Sequence, residues 1–444
     1  MKPKIIVLDD DPTGSQTVHS CLLLTRWDVA TLKTALADAA PLFFVLTNTR
    51  GMDAARAAAV TREVCVNLKA ALVDYTGPVL FVSRSDSTLR GHYPVETDVM
   101  NELLGPFDAT LLTPGFFEGG RITRDSTHYL VVDGQPVPTH ETEFARDSVF
   151  GYTTAFLPDY VSEKTGGRVA AESVARLTFK DLRAGRAGAW LAGLEGNVVG
   201  AVDGETPEDY ALFADAALKA AAHGKRLLFR SAASLLTALA KLPPQPVAAE
   251  SFASLVRDGR AGAVIVGSHV ARATAQLGAL LRERGVVGLP LDVARLPEDH
   301  DALVDALRAG VAHAHAHGLT PVVYTSRGER QFASTAERLA FGAAVSAALM
   351  AVVRQLPATL GFLVSKGGIT SNDVLSTGLE LAAARVLGQI LPGVTVVQTP
   401  PWHAVPQLPV VIFPGNVGGD DALAEVYRRL APSRAQAGRA KLAA

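Results

Sequence analysis

Short apolar runs, separated by Ala-rich stretches of helical period, constrain the fold of this chain more than any other feature. The runs at residues 4–8, 42–47, 78–83 and 109–113 are dense in Val, Ile, Leu and Phe, as strands buried on both faces of a parallel sheet must be. Residues 52–74 carry Ala, Val, Leu and Cys65 at the spacing of an amphipathic helix. Residues 115–160 break the pattern. They are rich in Gly, Pro, Thr and charge, show no helical period before 141–146, and read as a long functional insertion. Helical patterns at 207–224 and 231–242 lead to Pro243-Pro244-Gln245-Pro246, a stiff linker.

A second series follows. Strands at 263–266, 321–325, 361–364, 394–398 and 410–413 alternate with helices near 271–284, 300–318, 335–356, 372–391 and 420–430. The expected class is α/β, with two α/β domains whose mainly parallel sheets face a central cleft. Residues 1–245 form the first domain, 246–432 the second, and 433–444 a fraying tail. With 444 residues, 48% hydrophobic and 19% charged, two large cores are affordable. No apolar run reaches about 18 residues, which argues against a membrane span, and no secretory signal opens the chain. Cys21 and Cys65 alone make no disulfide framework, which suits a reducing cytoplasm. A net charge of −2 gives no reason to expect nucleic acid.

The first apolar run ends in Asp9-Asp10-Asp11-Pro12-Thr13-Gly14-Ser15. Ligands of open α/β sheets bind beyond the carboxyl ends of strands. Three adjacent carboxylates there gain nothing for stability and point to a polyol, a cation or a cationic partner; the alternative is a solvated turn with a helix cap. Val82-Ser83-Arg84-Ser85-Asp86-Ser87-Thr88-Leu89-Arg90-Gly91 follows another strand, and Thr47-Asn48-Thr49-Arg50 ends a third. Arginine forks suit carboxylate or phosphate, while Asp, Ser and Thr suit sugar hydroxyls. Together these loops fit a small polyhydroxylated acid.

Three strands of the second half end in small-residue turns. They are Gly267-Ser268-His269, Ser365-Lys366-Gly367-Gly368-Ile369-Thr370-Ser371-Asn372-Asp373 and Pro414-Gly415-Asn416-Val417-Gly418-Gly419-Asp420-Asp421. Glycine lets backbone N–H groups converge on a ligand, and helix starts favour anions, so three such corners suit a phosphate chain. None has Walker spacing, and no Gly-x-Gly-x-x-Gly follows the first strand. Lys366 offers a point charge to a phosphate, or is a surface lysine beside a turn. Asp373 and the pair Asp420-Asp421 bear on Mg²⁺, or cap helices. His313, His315 and His317 lack the facing and the carboxylate partner of a zinc site, and no Ser-His-Asp elbow occurs.

Several of these motifs, in this order, make the chain resemble the four-carbon acid sugar kinases over almost its whole length. They are Asp10-Asp11-Pro12-Thr13-Gly14, Asp86-Ser87-Thr88-Leu89-Arg90-Gly91, Gly120-Arg121-Ile122-Thr123 through Thr142-Glu143-Phe144-Ala145-Arg146-Asp147, Gly267-Ser268, Gly367-Gly368-Ile369-Thr370-Ser371 and Pro414-Gly415-Asn416. The resemblance implies an N-terminal domain for the acid sugar, a C-terminal domain for ATP, and phosphorylation of the terminal (4-)hydroxyl of a tetronate. It places nucleotide contacts at Ser268, at Gly367, Gly368, Ile369 and Thr370, and at Gly415, beside Lys366 and Asn416. Ile369 stands where Glu is frequent in 3-oxo-tetronate kinases, and Pro12 where Leu is common; D-threonate or D-erythronate is the expected acceptor, with a 3-oxo-tetronate as the alternative.

The expected mechanism has Mg²⁺ bridging the ATP phosphates. Arg50, Arg84 and Arg90 hold the acid, with Asp86 and Ser87 at its hydroxyls. Asp10 or Asp11 accepts or orients the proton of the attacking hydroxyl. Domain closure expels water. The metal ligands are left open, and a homodimer is compatible with such a chain. A metal-dependent aldolase or isomerase and a non-catalytic sugar-acid binding protein are the rival readings.

Overall fold

In the computed structural model, residues 2–268, 270–327, 334–415 and 417–431 are described. The expected tail at 433–444 lies outside them. The chain divides into two compact units, Met1–Pro244 and Gln245–Ala444.

The first unit holds β1 (Lys4–Asp9), β2 (Leu22–Leu24), β3 (Leu42–Leu46), β4 (Val79–Arg84), β5 (Ala109–Thr113), β6 (Arg121–Arg124), β7 (Thr127–Val132), β8 (Gln135–Pro138), β9 (Ala175–Leu177), β10 (Val198–Val202) and β11 (Leu227–Ser231). Its main sheet runs β2-β3-β1-β4-β11-β5-β10-β9, every neighbour parallel. β1, β3, β4, β5 and β11 are buried almost throughout, because helices such as Ala54–Ala71 cover the sheet. β1 lies between β3 and β4, so the order of strand addition reverses there, at the place where open α/β sheets open a crevice. Asp9, Arg84, Ser231 and Thr113 sit in register across four strands, which aligns the loops that follow.

The segment expected to be an irregular insertion has structure of its own. β6, β7 and β8 form a three-stranded antiparallel sheet, followed by a helix at Leu157–Lys164. Tyr152, Leu157 and Tyr160 from this segment pack with Leu89, Tyr93 and Leu112 in a core of their own. β11, which lies between β4 and β5, falls between two expected helices where no strand is expected. Arg230 and Ser231 interrupt its apolar run and hide it in the sequence.

The second unit holds β12 (Ala263–Val266), β13 (Val286–Leu291), β14 (Thr320–Thr325), β15 (Leu363–Lys366), β16 (Ala383–Leu391), β17 (Val394–Gln398) and β18 (Pro409–Phe413). Its order is β13-β14-β12-β15-β18-β17-β16. The first five are parallel, while β17 and β16 add antiparallel. Phe252, Phe362, Phe413 and Tyr427 anchor its core. The expected helix at 372–391 is corrected here. The helix stops at Asp373, a π turn covers Val374–Gly378, and residues 383–391 are β16. Burial alternates residue by residue along β16, the period of a strand, and Pro392-Gly393 turns it back into β17.

Among the described residues no helix is long and apolar enough to cross a membrane. Cys21 and Cys65 are both buried thiols, and burial pushes the Cys65 thiol up to about 12. Thiolate is the reactive form, so a thiol reagent such as DTNB should label neither cysteine in the native protein and both after denaturation. Fast labelling of Cys65 under native conditions would contradict this packing.

Candidate functional site

The end of β1 carries Asp9 and Asp10 into the interior, at 0% and 1% exposure. Buried carboxylates need partners, and arginines from two neighbouring loops supply them. Arg50 donates to both oxygens of Asp10 (2.5 Å from Nη2, 3.2 Å from Nε) and lies 3.4 Å from Asp11 and 3.7 Å from Asp86. Arg84, at the end of β4, reaches Asp9 at 3.3 Å and Asp10 at 3.9 Å. Arg90 pairs with Asp86 at 2.9 Å and Asp147 at 3.6 Å. Repulsion among the three adjacent aspartates is thus answered by interleaved guanidinium groups. Asp147, the last residue of a motif quoted for the resemblance, was given no role, and its pairing with Arg90 comes from a contact distant in sequence.

A second buried network was also missed, because it hangs on the unrecognised β11. Arg230 donates from Nη1 to Ser83 Oγ (2.7 Å) and Glu96 Oε2 (2.6 Å), and from Nη2 to Ser85 Oγ (2.8 Å). Ser85 Oγ accepts that bond, so its own proton goes to Asp10 Oδ2 at 2.6 Å, the charge-assisted acceptor. Gly91 closes this network. Its φ is +119°, and a Cβ there would fall 2.2 Å from Ser85 Oγ and 2.8 Å from Arg230 Nη2. Ser85, Asp86, Leu89, Arg90, Leu112, Pro114, Tyr160, Arg230 and Ser231 line a pocket at these strand ends.

The carboxylates are tuned differently. Burial pushes Asp9 up to about 7, against the pull of Arg84. For Asp11 and Asp86 burial acts the same way but loses. The Arg50 and Arg84 charges, with hydrogen bonds from Thr13, hold Asp11 low. Arg50 and Arg90, with a hydrogen bond from Thr88, hold Asp86 far below the usual carboxylate range. Asp11 keeps 21% of its side chain exposed. Ser87 is buried, and its carbonyl takes the Nε2 proton of His128 at 2.8 Å.

In the second unit β12, β15 and β18 end level, with Val266 beside Lys366 and Lys366 beside Phe413, so their three glycine corners leave the sheet together. The corners touch. A Cβ on Gly267 would fall 2.2 Å from Thr370 Oγ1, and one on Gly367 3.2 Å from both Thr370 Oγ1 and Ser268 Cβ. One on Gly415 would fall 3.6 Å from Ser268 Oγ. Gly367 has φ +118° and caps the helix that begins at Gly368. Ile369 is 69% exposed at the rim. Asn416 lies outside the described residues.

Lys366 is not at the surface. It is fully buried, and its Nζ donates to the carbonyls of Pro414 (2.5 Å) and Gly415 (3.0 Å) while lying 4.3 Å from the Phe413 ring centre. Burial and then the Arg272 charge pull its pKa down to about 7. It ties the second corner to the third. Asp373 accepts from Ser346 Oγ and from Asn372 Nδ2 (3.1 Å), and Asp421 pairs with Arg428. Among the described residues no group of three or more His, Cys, Asp or Glu is placed to hold a metal.

Asp9 makes a testable contribution to stability. Its folded pKa lies above the unfolded value of 3.8, so the folded state binds the extra proton. The cost of ionising it is absent below about pH 4 and fully present above about pH 7. Asp9→Asn should therefore gain stability relative to the unmodified protein as pH rises from 4 to 7, measured by urea unfolding at each pH. A difference that stays flat across that range would contradict a raised Asp9 pKa.

Comparison with known proteins bears on both units. Residues 5–239 match a family model described as a sugar-binding N-terminal domain, and residues 263–423 one described as a nucleotide-binding C-terminal domain. A D-erythronate kinase of Heliobacterium modesticaldum is 32% identical over 148 residues, which are 32% of this chain and 32% of that protein. A D-threonate kinase of Bordetella bronchiseptica is 31% identical over 183 residues, 39% of this chain and 43% of that protein. The chain therefore spans less than half the length of the curated relatives it matches. A solved Haemophilus influenzae protein of the DUF1537 family superposes with TM-score 0.65 at 17% identity, over 96% of this chain and 100% of that one. A putative tRNA synthase from Salmonella typhimurium LT2 gives 0.66 at 18%, over 96% and 98%. Both share the fold. With one family model covering more than half of its residues and the companion model following it, the chain belongs to the four-carbon acid sugar kinase family.

Proposed function

We propose that this chain is an ATP-dependent kinase that phosphorylates the terminal hydroxyl of a four-carbon acid sugar, D-threonate or D-erythronate. One observation carries the reading. The chain carries an Asp, Arg and Ser pocket at the switch point of the first unit's strands, and a three-corner glycine cradle at the strand ends of the second unit. The relatives named D-erythronate kinase and D-threonate kinase support the acceptor class, and the two family descriptions support the division of labour.

Phosphoryl transfer needs positioning and charge stabilisation more than a strong base. Asp11 is the carboxylate that orients the attacking hydroxyl, because it keeps an exposed edge while Asp10 is enclosed by Arg50 and Ser85. Its lowered pKa keeps it ionised and ready to accept that hydrogen bond. Arg50 fixes Asp10, Asp11 and Asp86 relative to one another. Asp86 and Ser87 face the remaining hydroxyls. Ser268, Gly367, Gly368, Thr370 and Gly415 hold the phosphates, with Ile369 at the rim. Lys366 braces the cradle through the Pro414 and Gly415 carbonyls rather than meeting a phosphate. Mg²⁺ neutralises the phosphate charge when bound, and the hydroxyls of Ser268 and Thr370 have the oxygen chemistry to take part in holding it beside the nucleotide. A cytoplasmic enzyme, acting alone or as a homodimer, fits this reading.

Coupled ADP release should show turnover with Mg·ATP on D-threonate or D-erythronate, and none on their L-isomers or on 3-oxo-tetronates. Asp11→Asn should lower kcat by about 100-fold with the fold intact by circular dichroism. Unchanged kcat would remove Asp11 from the mechanism, and silence on both D-tetronates would overturn the kinase reading.

A further inference from the structure

Every arginine so far placed at the acidic loop is committed to protein carboxylates. Arg50 faces Asp10, Asp11 and Asp86, Arg84 faces Asp9 and Asp10, Arg90 faces Asp86 and Asp147, and Arg230 faces Glu96. Six carboxylates thus share four guanidinium groups. A ligand that brings its own carboxylate enters a site already short of positive charge, and like charges at close range repel. The expectation that Arg84 and Arg90 bind the substrate's carboxylate meets this difficulty directly.

Arg121 is arranged differently. It opens β6 on the antiparallel insert, and among the described residues it forms no ion pair. Nη1 donates to the Gly119 carbonyl, the guanidinium lies 5.9 Å from the Phe116 ring centre, and Nε is buried without an acceptor. A Cβ on Gly119 would fall 2.4 Å from Nη1, so a side chain there would displace the guanidinium. The insert that carries Arg121 is fastened to the Asp86–Gly91 loop, since His128 Nε2 bonds the Ser87 carbonyl at 2.8 Å and Tyr152 Oη the Thr88 carbonyl at 2.7 Å. The charges of Asp86 and Arg90 are both felt at Arg121. A half-buried guanidinium with an unmet donor and no ion pair among the described residues is costly to hold, and an anion relieves that cost.

Building on the acid-sugar reading above, we propose that Arg121 receives the carboxylate of the substrate. The guanidinium fork gives a planar carboxylate two parallel hydrogen bonds, which fixes the acid end of a short chain and leaves its hydroxyls to Asp86 and Asp11. Arg84 and Arg90 then act as positioning residues that hold the acidic groups in place.

Steady-state kinetics of Arg121→Met and Arg121→Lys, with D-threonate and D-erythronate as acceptors, test the assignment. Arg121→Met should raise KM for the acid sugar by about 10- to 100-fold and leave KM for Mg·ATP unchanged. Arg121→Lys, which keeps the charge without the fork, should recover part of the loss. Acid-sugar KM values within twofold of the unmodified enzyme in both variants would overturn the proposal. So would equal rises in both KM values accompanied by a lowered melting temperature, the signature of a purely structural arginine. If Arg121→Met does not fold, the KM split of Arg121→Lys decides by the same criteria. Failure of the unmodified enzyme to turn over either tetronate would overturn the kinase reading, and this assignment with it.

Discussion

The burial of charge at the end of β1 is the interaction on which the rest of the first unit depends. Taking a carboxylate out of water costs several kcal/mol even after relaxation, and Asp9 and Asp10 are both taken out almost completely. They are tolerated because Arg84, beside Asp9 at the end of β4, and Arg50, on the turn that follows β3, both reach them. At an effective dielectric near 20, a pair of opposite charges 4 Å apart gains about 4 kcal/mol, comparable with the cost. Such a cluster adds little net stability. Its value is a fixed array of donors and acceptors at a strand end, which a hydrophobic core could not supply.

Register carries this logic further. Asp9, Arg84 and Ser231 lie side by side, so Arg230, one residue back on β11, can link Glu96 to Ser85 and Ser85 to Asp10. The direction of the Ser85 proton is set by the donor on its other side, and Asp10 therefore receives a hydrogen bond rather than competing for one. The second unit uses the same principle without charge. Three strand ends in register bring Gly267, Gly367 and Gly415 against Ser268 and Thr370, and a buried lysine closes the arrangement by meeting two carbonyls.

Much of this was legible in the sequence, and the parts that were not have physical reasons. Strands buried on both faces announce themselves as apolar runs, so β1, β3, β4, β5, β12, β17 and β18 were readable. β11 was not, because a strand end that carries Arg230 and Ser231 into a polar site breaks its own apolar pattern. Residues 383–391 read as a helix because Ala and Leu are good helix formers. Their alternating burial depends on pairing with β17, which no local window contains. The chemistry of the acidic and glycine-rich loops was legible as residue types. The pairing of Arg90 with Asp147 and the burial of Lys366 were not, since both come from contacts distant in sequence. Arg121 stood within a noticed motif, and only the commitments of the other arginines single it out.

On the proposed reading, this chain makes the phosphate ester of a four-carbon acid sugar. Phosphorus NMR of the unmodified enzyme with Mg·ATP and D-erythronate or D-threonate tests it most directly. A new phosphomonoester resonance, split by two methylene protons, should grow in step with ADP. Release of inorganic phosphate alone, or an ester coupled to a single proton, would contradict it.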